Sequence, residues 1–303
     1  MTVAIIGTVA LDSIKTPSGE HNRILGGSAT FSATAATIFG PAGIVSIVGK
    51  DFPSEHIEFF KSRNINLDGL HHSEGDTFHW KGYYEGDMNQ AITVKTDLNV
   101  LLEFDPVIPD SLKKSPIVFM ANVDPVLQEK AIRQFESPEL VILDTMNFWI
   151  EHKLEALKQT LKLVDILIVN DQEIRQLTGD YNLITAISKA IELGPKRVVV
   201  KKGEHGAMMF DGTDFYMFPA YPLSNLVDPT GAGDSFAGAF AGYLSTQKSI
   251  SDETYKQAVI AGTLVSSHTV QDFSLNSLKK ITPEVLNQTF KAFKPLISHP
   301  TTI

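Results

Sequence analysis

The sequence predicts an α/β fold, a doubly wound and mostly parallel sheet, from three observations. From residue 116 onward, short apolar runs at 117–121, 140–143 and 166–169 alternate with segments of helical length at 126–135 and 150–161, the spacing of strand–helix–strand units. These runs are nearly continuous Val, Ile and Leu, which marks strands buried on both faces. Finally, 303 residues at 43% hydrophobic suffice for a large core, and no repeat, low-complexity stretch or long linker divides them, so one domain over 1–303 is expected.

Composition removes several classes of function. A net charge of −9 and a pI near 5.5 leave no basic stripe for nucleic acid. Without cysteine there are no disulfides, thiolate metal sites or Cys nucleophiles. The nine histidines are scattered, and none has metal-ligand spacing; adjacent His71 and His72 would face opposite sides of a strand. No apolar run approaches the roughly 20 residues that span a bilayer, and the start of the chain lacks a basic leader segment. The expectation is a cytoplasmic protein without membrane partners.

Taken in order, residues 3–7 form the first buried strand. Residues 11–14 and 23–25 flank the turn cluster Thr16-Pro17-Ser18-Gly19-Glu20, a hairpin leaving the main sheet. Asp12 lies just past the first strand's C-terminal end, where open α/β sheets gather ligand groups. Gly26-Gly27-Ser28 opens a helix of small residues running to Phe39, able to press closely on a sheet or ligand. A second buried strand follows at 43–49. Its Gly49-Lys50 is no phosphate loop, because Ile44 and Asp51 stand where Gly and Ser or Thr are required. A helix is expected over 53–63. Aromatic and β-branched runs at 77–84 and 88–94 around Glu85-Gly86-Asp87 read as another hairpin; with about 12–25 it would make a small β-lid that excludes water.

The strand ends of the second half carry Asn122 and Asp124, Asp144 and Asn147, and Asn170. Helix capping is the reading for Asn122, Asp124 and Asp144, with Asn122 also a candidate acceptor ligand. Asn170 and Glu173 could hold the waters of a hydrated Mg²⁺, but on the residues alone a capping box is the better explanation. After the strand at 197–201, Gly203 and Gly206 shape a turn, and Lys201 is placed to neutralise phosphate charge. Residues 210–218 form an edge hairpin, and helices start at Asp234, Asp252 and Pro283.

The chemistry concentrates in Asp228-Pro229-Thr230-Gly231-Ala232-Gly233-Asp234-Ser235-Phe236. Gly231, Ala232 and Gly233 let backbone N–H groups face an anion at a helix N-terminus. Asp234 in the first turn can accept the proton of an attacking hydroxyl.

This stretch resembles the C-terminal signature of the ribokinase-like, phosphofructokinase-B type carbohydrate kinases. Gly26-Gly27 with its small-residue helix, Asn170-x-x-Glu173 and Gly203 to Gly206 follow the family's other motifs in order. The resemblance implies ATP-dependent phosphorylation of a sugar, with Asp234 as base, Gly231 to Gly233 as anion hole, Asp12, Gly26 and Gly27 on the acceptor, and Asn170, Gly203, Gly206 and Gly233 on ATP; Phe31 is a further acceptor candidate for its aromatic ring, and Lys201 a further ATP candidate for its charge. It further implies Mg²⁺ near Asn170 and Glu173, a monovalent cation such as K⁺ near Asp228 and Thr230, and a homodimer through the lid. Relatives often carry Lys or Asp after the Gly pair and Asn four residues beyond its second Gly. Ser28 and Phe31 stand there instead, which weighs against ribose and keto-sugar acids. The alternatives are a nucleoside kinase, with Phe31, Phe78 and Trp80 stacking on a base, and a non-catalytic sensor on the same fold. A dinucleotide enzyme is disfavoured because no G-x-G-x-x-G follows the first strand.

Overall fold

The computed structural model describes residues 1–298; the end of the expected 1–303 domain lies outside them. The chain runs β1 (Val3–Ile6), β2 (Ala10–Thr16), β3 (Gly19–Gly26), α1 (Ser28–Ala36), β4 (Ala42–Gly49), α2 (Ser54–Ser62), β5 (Ile65–Ser73), β6 (His79–Tyr83) and β7 (Ile92–Asp97). It continues with β8 (Ile117–Met120), α3 (Pro125–Ile132), β9 (Leu140–Asp144), α4 (Asn147–His152), α5 (Leu154–Leu161), β10 (Ile166–Asn170), α6 (Asp171–Thr178) and α7 (Leu183–Ile191). It closes with β11 (Arg197–Lys201), β12 (Ala207–Phe210), β13 (Phe215–Phe218), α8 (Ala232–Ser245), α9 (Asp252–Thr269) and α10 (Pro283–Ile297).

Nine strands form the main sheet in the order β13-β12-β11-β10-β9-β8-β1-β4-β5, parallel except for β12 and β13. The order reverses between β1 and β8, and in open α/β sheets ligands collect at the C-terminal ends beside such a reversal. The strands are apolar throughout because both faces are covered. Val3, Ile5, Ile117, Phe119, Ile166 and Ile168 enter one core with α1, α8 and α9. Their neighbours Ala4, Ile6, Val118, Met120, Leu167 and Val169 enter the other with α3 and α5 to α7. The period of two separates the layers, as strand geometry requires.

A second sheet, β3-β2-β6-β7, stands off the first. Its outer hairpin corrects the expected boundaries: the strands are 79–83 and 92–97, not 77–84 and 88–94. Thr77 is drawn out of the strand because its amide and hydroxyl both donate to Asp51 Oδ1, each at 2.7 Å. Met88 is buried in the connection with a left-handed φ of 55°. Strand β5 and helix α7 went unanticipated. The helix expected at 150–161 is two, interrupted at Lys153, whose φ of −136° is not helical.

Helix α1 has no polar face, since all nine of its residues are buried between the sheet and α8. Close approach is possible because a Cβ on Gly238 would lie 2.2 Å from Ser32 O and one on Gly242 2.8 Å from Ala36 Cα. Ser32 Oγ lies 2.7 Å from Ser28 O and 3.0 Å from Asp234 O, sharing its proton between the two helices. Gly238→Ala must therefore push α8 away from α1. It is expected to lose roughly 1–3 kcal/mol, the usual range for overpacking, measured by chemical denaturation.

Candidate active site

The site begins with a β-turn. Asp228 Oδ1 accepts from Thr230 N at 2.9 Å, and Ala232 N donates to Pro229 O at 3.1 Å. Gly231 is the third residue of that turn, with φ 75° and ψ 4°, a position that demands φ > 0. A Cβ there would also fall 2.4 Å from the Phe31 ring, so both backbone and packing require glycine. This turn delivers Ala232 as the first residue of α8 and Asp234 within its first turn.

Two expectations change here. Ala232 was expected to complete an anion cradle with Gly231 and Gly233, but its amide turns back to Pro229 O. Phe31 was expected on the acceptor, yet it is only 1% exposed and lies under Gly231. Its burial, of order 2–3 kcal/mol, serves the loop's shape rather than ligand stacking.

Below α8, neighbouring strand ends converge. Asp144 ends β9 in register with Ile168, and Asn170 on β10 is in register with Lys201 on β11. Lys201 Nζ is 2.9 Å from Asp144 Oδ2, with side-chain exposures of 17% and 6%. It is also 2.9 Å from the point a Cβ on Gly233 would occupy. The helix-capping role expected of Asp144 is thus replaced by a buried ion pair, its other oxygen accepting from Thr145 N at 2.8 Å. Asn170 caps α6, accepting from Gln172 N and Glu173 N, while the buried Glu173 accepts from Asn170 N at 2.7 Å. The full capping box is present.

Asp12 enters from β2 and is 5% exposed. A Cβ on Gly26 would meet its carboxylate, and the amides of Gly27, which caps α1, and Trp80 face it. Ser28 and Thr8 are latched reciprocally, Thr8 N to Ser28 Oγ at 3.1 Å and Ser28 N to Thr8 Oγ1 at 3.0 Å, which gives Ser28 a structural use after the Gly pair. Asn122 does not cap a helix. Its Oδ1 accepts from Trp149 Nε1 at 2.8 Å and its Nδ2 faces Met146 Sδ, so both ends of the amide are engaged within the protein. Asp124, by contrast, caps α3 through Val126 N.

Burial dominates the electrostatics. It pushes Asp12 up to about 7, reinforced by the charges of Asp228 and Asp234. Asp234 is likewise pushed up to about 7 by burial and then by Asp144, with Lys201 opposing. Burial raises Glu173 and Asp228 as well. For Lys201, burial is the largest influence and pulls downward, but Asp144 and Glu173 more than offset it, and the ammonium is held above its ordinary value.

The outer hairpin reaches across the site, which local sequence reading missed. Thr230 Oγ1 donates to Tyr84 Oη at 3.1 Å. Asn89 Oδ1 lies 3.0 Å from a Cβ position on Gly203, in the one-turn helix that ends before Gly206. Asp228 and Thr230, the cation candidates, are bonded to each other, and Asp228 Oδ2 also accepts from Ser274 N. Among the described residues, no cluster of three or more His, Asp or Glu side chains has metal-binding geometry, and no helix is long and apolar enough to cross a membrane.

The profile of the pfkB family carbohydrate kinases matches residues 3–281. A cytidine kinase of Thermococcus kodakarensis is 28% identical, covering 80% of this chain and 88% of that protein. A ribokinase of Lactococcus lactis is 26% identical over 86% and 89%. Among solved structures, the nucleoside kinase of Methanocaldococcus jannaschii superposes with a TM-score of 0.77 at 20% identity, covering 96% of this chain and 98% of that one. The ribokinase of Giardia lamblia reaches 0.81 at 18%, covering 96% and 99%.

Because the folded state holds a proton on Asp12 up to about pH 7 and an unfolded aspartate only to about 4, its contribution to stability is full below pH 4 and lost as pH rises through 7. Asp12→Asn removes that loss. Its melting temperature relative to wild type should therefore be more favourable at pH 8 than at pH 5, read by calorimetry at both.

Proposed function

Because this chain belongs to the pfkB family of carbohydrate kinases, we propose that it transfers the γ-phosphoryl group of ATP to a hydroxyl of an uncharged sugar or nucleoside, with Asp234 as general base. The observation that carries the reading is the placement of Asp234 in the first turn of α8, beside Gly233 and Lys201 and within electrostatic reach of Asp12. Asp12 accepts from the acceptor's hydroxyls and orients one toward Asp234. Asp234 takes that hydroxyl's proton as the oxygen attacks phosphorus. The amides of Gly231 and Gly233 and the Lys201 ammonium meet the charge gathering on the phosphoryl oxygens, so positioning and electrostatics supply most of the rate. The second sheet, tied to the signature loop through Tyr84, keeps water from competing as acceptor.

Asp144, Glu173 and Asp234 act on the single Lys201 ammonium, and the carboxylate left over on Glu173 and Asp234 suits a divalent cation held through its waters rather than directly. Asn170 and Glu173 would hold Mg²⁺ through its waters, where it neutralises the nucleotide phosphates. Asp228 and Thr230 are the residues toward which a monovalent cation would be drawn. Gly203 and Gly206 would border the nucleotide.

The acceptor is taken as uncharged because the charges that add to the rise of Asp12 are those of Asp228 and Asp234, negative once ionised. A phosphate or carboxylate on the acceptor would be repelled there. A nucleoside is the second reading, favoured by Trp80, whose amide faces Asp12 and whose ring covers Gly82. Likeness to a cytidine kinase points the same way.

With an acceptor in hand, Asp234→Asn should lower kcat by about 10²–10⁴-fold, the usual worth of a general base, without lowering the melting temperature. In wild type, kcat/KM should fall as pH drops through about 7, where Asp234 becomes protonated and cannot accept. Unchanged turnover in the variant would remove Asp234 from the role.

A further inference from the structure

The proposed chemistry leaves Asp144 unused. It is buried at 4% exposure at the end of β9, and its carboxylate hydrogen bonds go to Lys201 and to the Thr145 amide. A buried carboxylate is costly unless paired, so its retention beside the site needs an account. Three observations meet on it. Asp144 Oδ2 holds the Lys201 ammonium at 2.9 Å. Its Oδ1 is fixed by Thr145 N at 2.8 Å, and its own carbonyl receives the fully buried Gln128 Nε2 at 3.1 Å, which donates also to Ala121 O. The ammonium so held lies against Gly233, 2.9 Å from the position a methyl would take. Lysine is a flexible four-carbon stem with a point charge at its end; Glu173 and Asp234 also attract this one. A rigid third carboxylate decides where among them it rests.

We propose that Asp144 is the positioning residue for Lys201, holding its ammonium against Gly233 on the side of Asp234 where the transferred phosphoryl group gathers charge. Asp144 touches no substrate itself; it acts through the lysine. This rests on the kinase reading above, and the two are separable by experiment.

The test compares Asp144→Asn, Lys201→Met, the double variant and Gly233→Ala with wild type, measuring ADP release, acceptor KM and melting temperature. Asp144→Asn should lower kcat roughly 10-fold or more, as loss of a preorganised charge does, while acceptor KM stays within about threefold. Lys201→Met should match it, and the double variant should be no worse than Lys201→Met alone, since residues acting as one unit are not additive. That double variant also removes both charges, so a Lys201→Met protein weakened by an unpaired buried Asp144 does not confuse the result. Gly233 is not in a left-handed conformation, so Gly233→Ala keeps its backbone and amide while its methyl displaces the ammonium; it should reproduce the fall in kcat.

A lower melting temperature with kcat unchanged in Asp144→Asn would make the pair merely structural and overturn the assignment. Losses that multiply in the double variant would overturn it too, because Asp144 would then act independently of Lys201. Wild-type protein with no turnover on any acceptor would remove the kinase reading, and this assignment with it.

Discussion

The site depends on one left-handed residue. Gly231 reverses the chain at φ 75° directly above the Phe31 ring, and Ala232, Gly233 and Asp234 take their positions at the head of α8 from that contact. Phe31 is on α1 and Gly231 at the head of α8, so the turn stands where the two helices cross. The same helices approach closely along Gly238 and Gly242. Sequence thus acts at two scales: small residues let the helices touch, and the touch sets the backbone amides and Asp234 over the sheet's C-terminal edge.

The electrostatic counterpart is an excess of buried carboxylate. Burial raises Asp12, Asp228 and Asp234 alike; Asp228 and Asp234 add to the rise at Asp12, and Asp144 adds to that at Asp234. Such a cluster costs stability in the unliganded protein, and sites that do chemistry commonly carry a cost of this kind. Lys201 relieves Asp234, while the charges acting most strongly on Asp12 are negative only. That asymmetry matches a reaction in which phosphate charge arrives on one side and a neutral hydroxyl on the other.

What sequence made legible follows from how local each feature is. The buried strands announce themselves by unbroken Val and Ile, and the mostly parallel sheet by their spacing. The Gly231 turn and the Asn170 to Glu173 box lie within a few residues each, so their geometry could be read directly. Strand β5 was missed because Asn66, Asp68, His71 and His72 interrupt its apolar pattern at an edge. The partnership of Asp144 with Lys201 spans 57 residues and exists only because β9, β10 and β11 lie adjacent in the sheet. Tyr84 and Thr230 meet across 146 residues. Phe31 was misjudged for the same reason: an aromatic beside a Gly pair looks like a ligand contact until the crossing helix covers it.

The central claim is that phosphoryl charge and an uncharged hydroxyl meet at Asp234. The most direct measurement is mass spectrometry of a mixed pool of sugars, nucleosides and their phosphate esters after incubation with the protein, ATP and Mg²⁺. The account predicts that one or more uncharged acceptors gain a single phosphoryl group while the esters do not. Phosphorylation confined to an already charged ester, or consumption of ATP with every acceptor unmodified, would contradict it.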